Sequence, residues 1–184
     1  MPTNRLIVKE QIATYADVLF DSAEKLGGQD AVLAVREQLK QIVAQTRTSA
    51  NLRAALKDPA YTPEQRAQIA RGMFEGNNEA LVAVVAVMAE RGETDLLSRV
   101  ADAYEGLLAE KQNLCVVEVI TAVALDDHLR EVIKKKAESE LNMNVVLEEK
   151  IDKSILGGII MSANGQRIDA SMLTQIENAR EALK

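Results

Sequence analysis

Apolar positions along the chain follow two different periods, and the change comes near Asn113. From Ile12 onward Tyr15, Ala16, Leu19, Phe20, Ala23 and Leu26 recur at helical spacing until Gly27 and Gly28 end the run. A second helix is predicted from about Asp30 to Thr46 on Val32, Val35, Leu39, Ile42 and Val43, and a short third on Leu52 and Leu56, stopped at Pro59. Thr62, Pro63 and Gln65 match a capping box with proline at the first helical position, so a fourth helix begins at Pro63. Ala80 to Ala89 forms a fifth, closed by Gly92, and Leu97, Val100, Tyr104, Leu107 and Leu108 mark a sixth that reaches about Lys111. Short links join these six, which predicts an all-α bundle over residues 1–112.

Beyond Asn113 the period approaches two. Leu114 to Leu125 is rich in β-branched residues without Gly or Pro, as expected of a strand largely covered on both faces. Asp126 caps a helix whose stripe is Leu129, Val132, Ile133, Ala137 and Leu141. Further strands are expected at Met143–Glu149, Gly158–Ser162 and Gln166–Ile168, the last two joined by an Asn164–Gly165 turn. A final helix carries Leu173, Ile176, Ala179 and Leu183. The fold class is therefore a two-part α+β chain: the six-helix bundle, then a small mixed α/β domain over residues 113–184.

Composition narrows the function classes. Apolar residues make up 47% of the chain and aromatics 3%, so the core is aliphatic and the helices pack closely. Acidic residues outnumber basic ones by 28 to 22, which disfavours nucleic acid, and the Lys134–Lys136 run is flanked by Glu131, Glu138 and Glu140 as on a solvated helix face. Although Ala80–Ala89 carries no charge, a bilayer span needs about 20 residues, so no membrane insertion is expected. The start lacks the marks of a signal or transit peptide.

Little in the chain suggests catalysis. His128 is the only histidine and falls at a helix start, off the apolar stripe. Cys115, the only cysteine, opens an apolar strand where burial makes a thiol inert. Asp126 and Asp127 are neighbours that point apart, and capping accounts for the first. Gly157 and Gly158 belong to no phosphate-binding pattern, and close backbone packing or a bulge explains them. No cofactor or metal is expected. What remains is interaction surface: Val18 lies outside the stripe of the first helix and the fifth is apolar nearly all round, which either makes the fifth helix central or leaves room for a partner helix between them.

Three stretches carry a resemblance. Tyr15–Ala23 (YADVLFDSA) resembles the opening helix of the delta subunit family of F-type ATP synthases, related to the mitochondrial oligomycin-sensitivity-conferring protein. Met88–Leu97 (MAERGETDLL) is similar to a helix-end segment of that family, and Ile151–Ser171 resembles its signature, carried here by Asp152, Gly157, Gly158, Gly165, Asp169 and Ser171. Gln166 and Ala170 depart from the Asp and Gly usual at those places, both expected at turns.

The resemblance implies a non-catalytic stator subunit that joins the catalytic head to the membrane sector and resists rotor torque. It implies that residues 1–112 grip the N-terminal helix of an alpha subunit between the first and fifth helices, with Tyr15 and Leu19 on one wall and Val84, Val87 and Met88 on the other. Residues 113–184 would hold the b subunits of the peripheral stalk. One copy per complex, on the cytoplasmic face of a bacterial plasma membrane rather than a thylakoid or mitochondrial inner membrane, completes the expectation. A helical adaptor unrelated to ATP synthase is the rival reading, and it gives no reason for the Ile151–Ser171 signature.

Overall fold

The structure is a computed structural model that describes residues 2–182 apart from Pro59 and Asn164. The expectations placed on Pro59, Asn164, Leu183 and the side chain of Ala179 lie outside the described residues. Two compact units divide the chain, one reaching Leu107 and the other starting at Leu108.

The first unit is helical throughout. Helix α1 spans Pro2–Thr48, beginning earlier than the apolar stripe at Ile12 suggests, and it is broken at Gly27 and Gly28. Gly28 sits at φ 61, ψ −141, a backbone region that only glycine occupies at little cost, so α1 consists of two arms, the two helices expected. Next come α2 (Ala50–Ala55), α3 (Pro63–Met73), α4 (Glu79–Arg91) and α5 (Leu97–Gln112). Thr62 and Gln65 close the α3 capping box in both directions, and Gly92 at φ 73 ends α4 in the left-handed conformation.

The core of this unit is sealed. Phe20, Val32, Leu56, Leu81, Val85, Ala86 and Tyr104 are completely buried. Tyr104 stacks at a tilt on Phe20, centroids 5.8 Å apart, and its hydroxyl donates to the Val32 carbonyl at 3.0 Å, tying α5 to both arms of α1. Burial pushes the Tyr104 phenol far up, so it acts only as a neutral donor. Arg36 is buried as well, held by Glu37 and by Glu105 at 2.9 Å. Leu26, expected in the stripe, is exposed because the α1 break follows it at once.

The second unit is a four-stranded sheet of order β2-β1-β3-β4, built from β1 (Leu114–Thr121), β2 (Asn144–Ile151), β3 (Gly158–Ala163) and β4 (Gln166–Ser171). Strands β1 and β2 are parallel and joined through helix α6 (Asp127–Leu141), while β3 and β4 are antiparallel. Helix α7 (Met172–Ala182) follows β4.

Two expectations are corrected here. Strand β1 stops at Thr121, not Leu125, because the Thr121 hydroxyl turns to donate to the Val123 carbonyl at 2.7 Å. Cys115, Val117 and Val119 are buried and Val116, Glu118 and Ile120 partly buried, so β1 is largely covered on both faces. Asp169 and Ala170 lie inside β4 and not at a turn, their pairing with Ile160 and Ile159 continuing the ladder to Ser171. The mixed bundle-plus-sheet architecture stands as expected.

Candidate functional site

Helices α1 and α4 pack along each other, and the seam between them is closed at one end by a polar cluster. The Tyr15 hydroxyl donates to Glu93 Oε2 at 2.7 Å, Arg91 Nη1 donates to Tyr15 Oη at 3.2 Å, and Gln11 Nε2 donates to Glu93 Oε1 at 3.2 Å. Burial, then the bond to Glu93, raises the Tyr15 phenol, and Arg91 opposes the shift. This cluster joins Tyr15–Ala23 to Met88–Leu97, two stretches that are 78 residues apart at the Tyr15–Glu93 bond. Sequence reading singled out both stretches and missed the bond between them, because nothing local announces a pairing over that distance.

Open surface runs along the seam from this cluster. At 100° per residue Val18, Gln11 and Ser22 fall on the side of α1 next to Tyr15, and Ala80, Ala83 and Val87 fall on the side of α4 next to Val84. Val18 is 48% exposed, Ala83 is exposed, and Ala80 and Val87 are partly so. Tyr15 and Val84 are each 8% exposed and form the floor, whereas Leu19 at 1% and Met88 at 0% lie within the bundle core and present no surface. Val18 on α1 and Ala80, Ala83 and Val87 on α4 are thus small or β-branched apolar positions that keep solvent access on two helices packed together.

A second apolar surface lies on the sheet. Helix α6 covers β1 and β2, but none of its residues is buried, and Val132 is 47% exposed. Beside it Ile159, Met161 and Ile168 line an open cleft of about 310 Å³ over β3 and β4, with Ile168 54% exposed. The stripe expected on α6 therefore faces partly into this cleft, and Leu173 and Ile176 of α7 are exposed too.

The signature residues form a structural knot. The Asp152 carboxylate accepts from the Ser154 amide at 2.9 Å, starting a short 3-10 turn over Lys153–Ile155. A Cβ on Gly157 would stand 2.8 Å from Met172 Sδ, and one on Gly158, at φ 82, would stand 2.4 Å from the Ala170 carbonyl oxygen. Backbone on both counts demands glycine at 158, whereas at 157 the Met172 side chain could give way; there Gly157 O accepts from Met172 N at 2.9 Å. Gly165 takes φ 77 in the hairpin loop. Asp169 Oδ1 accepts from Ser171 N at 3.0 Å, and Ser171 Oγ accepts from Thr174 N at 3.3 Å to cap α7. The Ser154 and Ser171 side chains first, and their backbone amides second, hold the Asp152 and Asp169 carboxyls below their ordinary range.

Catalytic candidates do not converge. Asp126 accepts from Leu129 N at 2.7 Å as a helix cap, Asp127 pairs with Arg130 at 2.6 Å, and His128 is exposed. Cys115 is buried at the head of β1. Among the described residues no three His, Cys, Asp or Glu side chains come together as metal ligands, and no helix is long and apolar enough to cross a membrane.

Comparison with known proteins decides between the two readings of such a scaffold. Residues 12–183 match the family model described as ATP synthase delta (OSCP) subunit. The chain belongs to that family. ATP synthase subunit delta of Azorhizobium caulinodans is 30% identical over 180 residues, 97% of this chain and 95% of that protein. The subunit of the same name from Lactiplantibacillus plantarum is 28% identical over 170 residues, 92% of each. A chain of the cryo-EM structure of the Toxoplasma gondii mitochondrial ATP synthase hexamer aligns with a TM-score of 0.55 at 18% identity, covering 94% of this chain and 96% of that one, and so shares the fold. As a delta subunit the chain is a non-catalytic peripheral-stalk component of the F-type ATP synthase, a membrane-associated complex, where it links the catalytic head to the membrane sector and resists rotor torque. The unrelated adaptor is set aside.

Proposed function

We propose that the two apolar surfaces are two grips. Residues 1–112, six helices when the arms of α1 are counted separately, hold the N-terminal helix of an alpha subunit in the α1/α4 furrow. Residues 113–184 hold the b subunits, whose helices supply the cover that the α6, β3 and β4 cleft lacks. The observation that supports the first assignment is that Val18 of α1 and Ala83 and Val87 of α4, on two helices packed together, keep solvent access in a unit whose core is otherwise closed. Leu19 and Met88 support that furrow from beneath, and Tyr15, Val84 and Val87 meet the ligand. The subunit then sits once per complex on the cytoplasmic face of a bacterial plasma membrane.

Val18→Asp tests the reading, because a half-exposed position tolerates a carboxylate in the free protein while a docked helix would bury it. Burying an unpaired polar or charged group costs several kcal/mol, and about 1.4 kcal/mol is tenfold in affinity. Titrating the full chain with a peptide of the alpha N-terminus is expected to show at least tenfold weaker binding for the variant at unchanged helicity. Unaltered binding removes the furrow from the assignment.

A further inference from the structure

One leucine of the second unit is held out of the fold at a conformational cost. Leu156 follows the 3-10 turn over Lys153–Ile155 at φ 63, a region that a bulky residue enters only under strain, and its side chain is 65% exposed. The other non-glycine residues with positive φ among those described, Asn113 and Asn142, are asparagines, which tolerate it. Contacts on both sides fix this backbone. Ile155 is buried, Leu156 N donates to the Lys153 carbonyl at 3.3 Å, and Gly157 and Gly158 lie against Met172 and the Ala170 carbonyl. With Ile155 turned inward, Leu156 is left in solvent. Its surroundings are apolar too: Met172 is 53% exposed beside Gly157, and Ile176, one turn further along α7, is 56% exposed. Glycine or asparagine would make the same turn without strain, so the fold by itself gives no reason for a leucine. Lys153 in the turn and Arg180, one turn beyond Ile176, are exposed and form no ion pair among the described residues, while Asp152 and Asp169 are bonded to Ser154 and Ser171.

We infer that Leu156, with Met172 and Ile176 beside it, is an anchor of the b-subunit grip: a knob held out for the apolar stripe of a b helix that carries carboxylates next to that stripe. This rests on the grip on the b subunits proposed above and adds a second point of contact to the cleft. The charges of Lys153 and Arg180 favour an acidic flank on the partner over a basic one. Backbone strain persists where the surrounding structure imposes it, and it is released by a side chain that suits the conformation. The anchor is therefore traded against stability, so removing the leucine relaxes the free protein and weakens the complex.

The full chain carrying Leu156→Gly or Leu156→Asn is titrated with the soluble portion of the b subunits and, separately, unfolded in denaturant. Both variants are expected to bind about tenfold or more weakly, with an unfolding midpoint unchanged or higher and unaltered binding of the alpha N-terminal peptide. Lys153→Gln/Arg180→Gln is expected to lose roughly threefold at low salt and little at high salt, and no loss at low salt overturns the acidic flank. Full affinity of the leucine variants for b overturns this inference and leaves the grip standing. A lowered midpoint in both does the same, because it would make Leu156 part of the core. Self-association of the wild-type chain that Leu156→Gly abolishes assigns the patch to a second copy and overturns the inference as well. No binding of b by the wild-type chain overturns the inference and the grip together.

Discussion

The two units solve the same packing problem to different degrees. In the first, five helical elements enclose a core in which Phe20, Leu81, Val85 and Tyr104 have no contact with solvent. In the second, helix α6 over β1 and β2 and helix α7 beside β4 leave Val132, Ile168, Leu173 and Ile176 between 41% and 56% exposed. A sheet closes its core only where a layer of other elements covers its apolar face. The contrast teaches that the first unit closes its own core, whereas the second leaves open the apolar layer that the proposed grip on the b subunits would cover.

The sharpest way to break that contrast is to truncate one apolar side chain to alanine in each. Phe20→Ala empties a sealed site and is expected to cost about 3–5 kcal/mol in denaturant unfolding. Val132→Ala, at a half-exposed position, is expected to change stability by less than about 1 kcal/mol. Equal losses would mean that the cleft is already packed in solution.

A smaller effect separates glycines that the fold demands from those it tolerates. Gly158→Ala is expected to cost about 1–3 kcal/mol from its positive φ, with the clash against the Ala170 carbonyl added, seen as lost amide protection in β3 and β4. Gly72→Ala, in α3 with open space around it, is expected to stabilise by about 0.5–1 kcal/mol. A benign Gly158→Ala would dissolve the explanation of the signature.

The smallest effect is acid sensitivity confined to the second unit. Glu149 is held below its ordinary value chiefly by the hydrogen bond from Arg130, 2.5 Å away, and Asp152 and Asp169 by bonds from Ser154 and Ser171. A depressed carboxyl contributes stability that is whole above its unfolded value and fades as pH falls through the folded one. Hydrogen exchange is therefore expected to rise in the sheet before the helical unit as the pH drops below about 4, and acceleration in the helical unit first would reverse the comparison.

Much of this protein was legible without coordinates, and the reason differs by element. Helices α3 and α4 were readable at their ends because caps are local chemistry: Thr62 with Gln65 and Gly92 act on backbone within a few residues of themselves. The hairpin and the need for Gly158 were likewise visible as a turn signal and a close approach. Burial on α6 was misjudged because an apolar residue looks the same in sequence whether its neighbour is another strand, solvent or a partner. The furrow was named from a family likeness and an apolar excess, and the likeness drew in Leu19 and Met88, which the fold uses for its own core.

What the sequence determined by itself was the set of elements and their order, since periodicity and caps are properties of short stretches. Tertiary structure alone decided that Tyr15 is bonded to Glu93 and Arg91, that Gly157 sits under Met172, and which apolar faces stay open. Those depend on which distant segments meet, and no local pattern carries the geometry of a contact made across the chain.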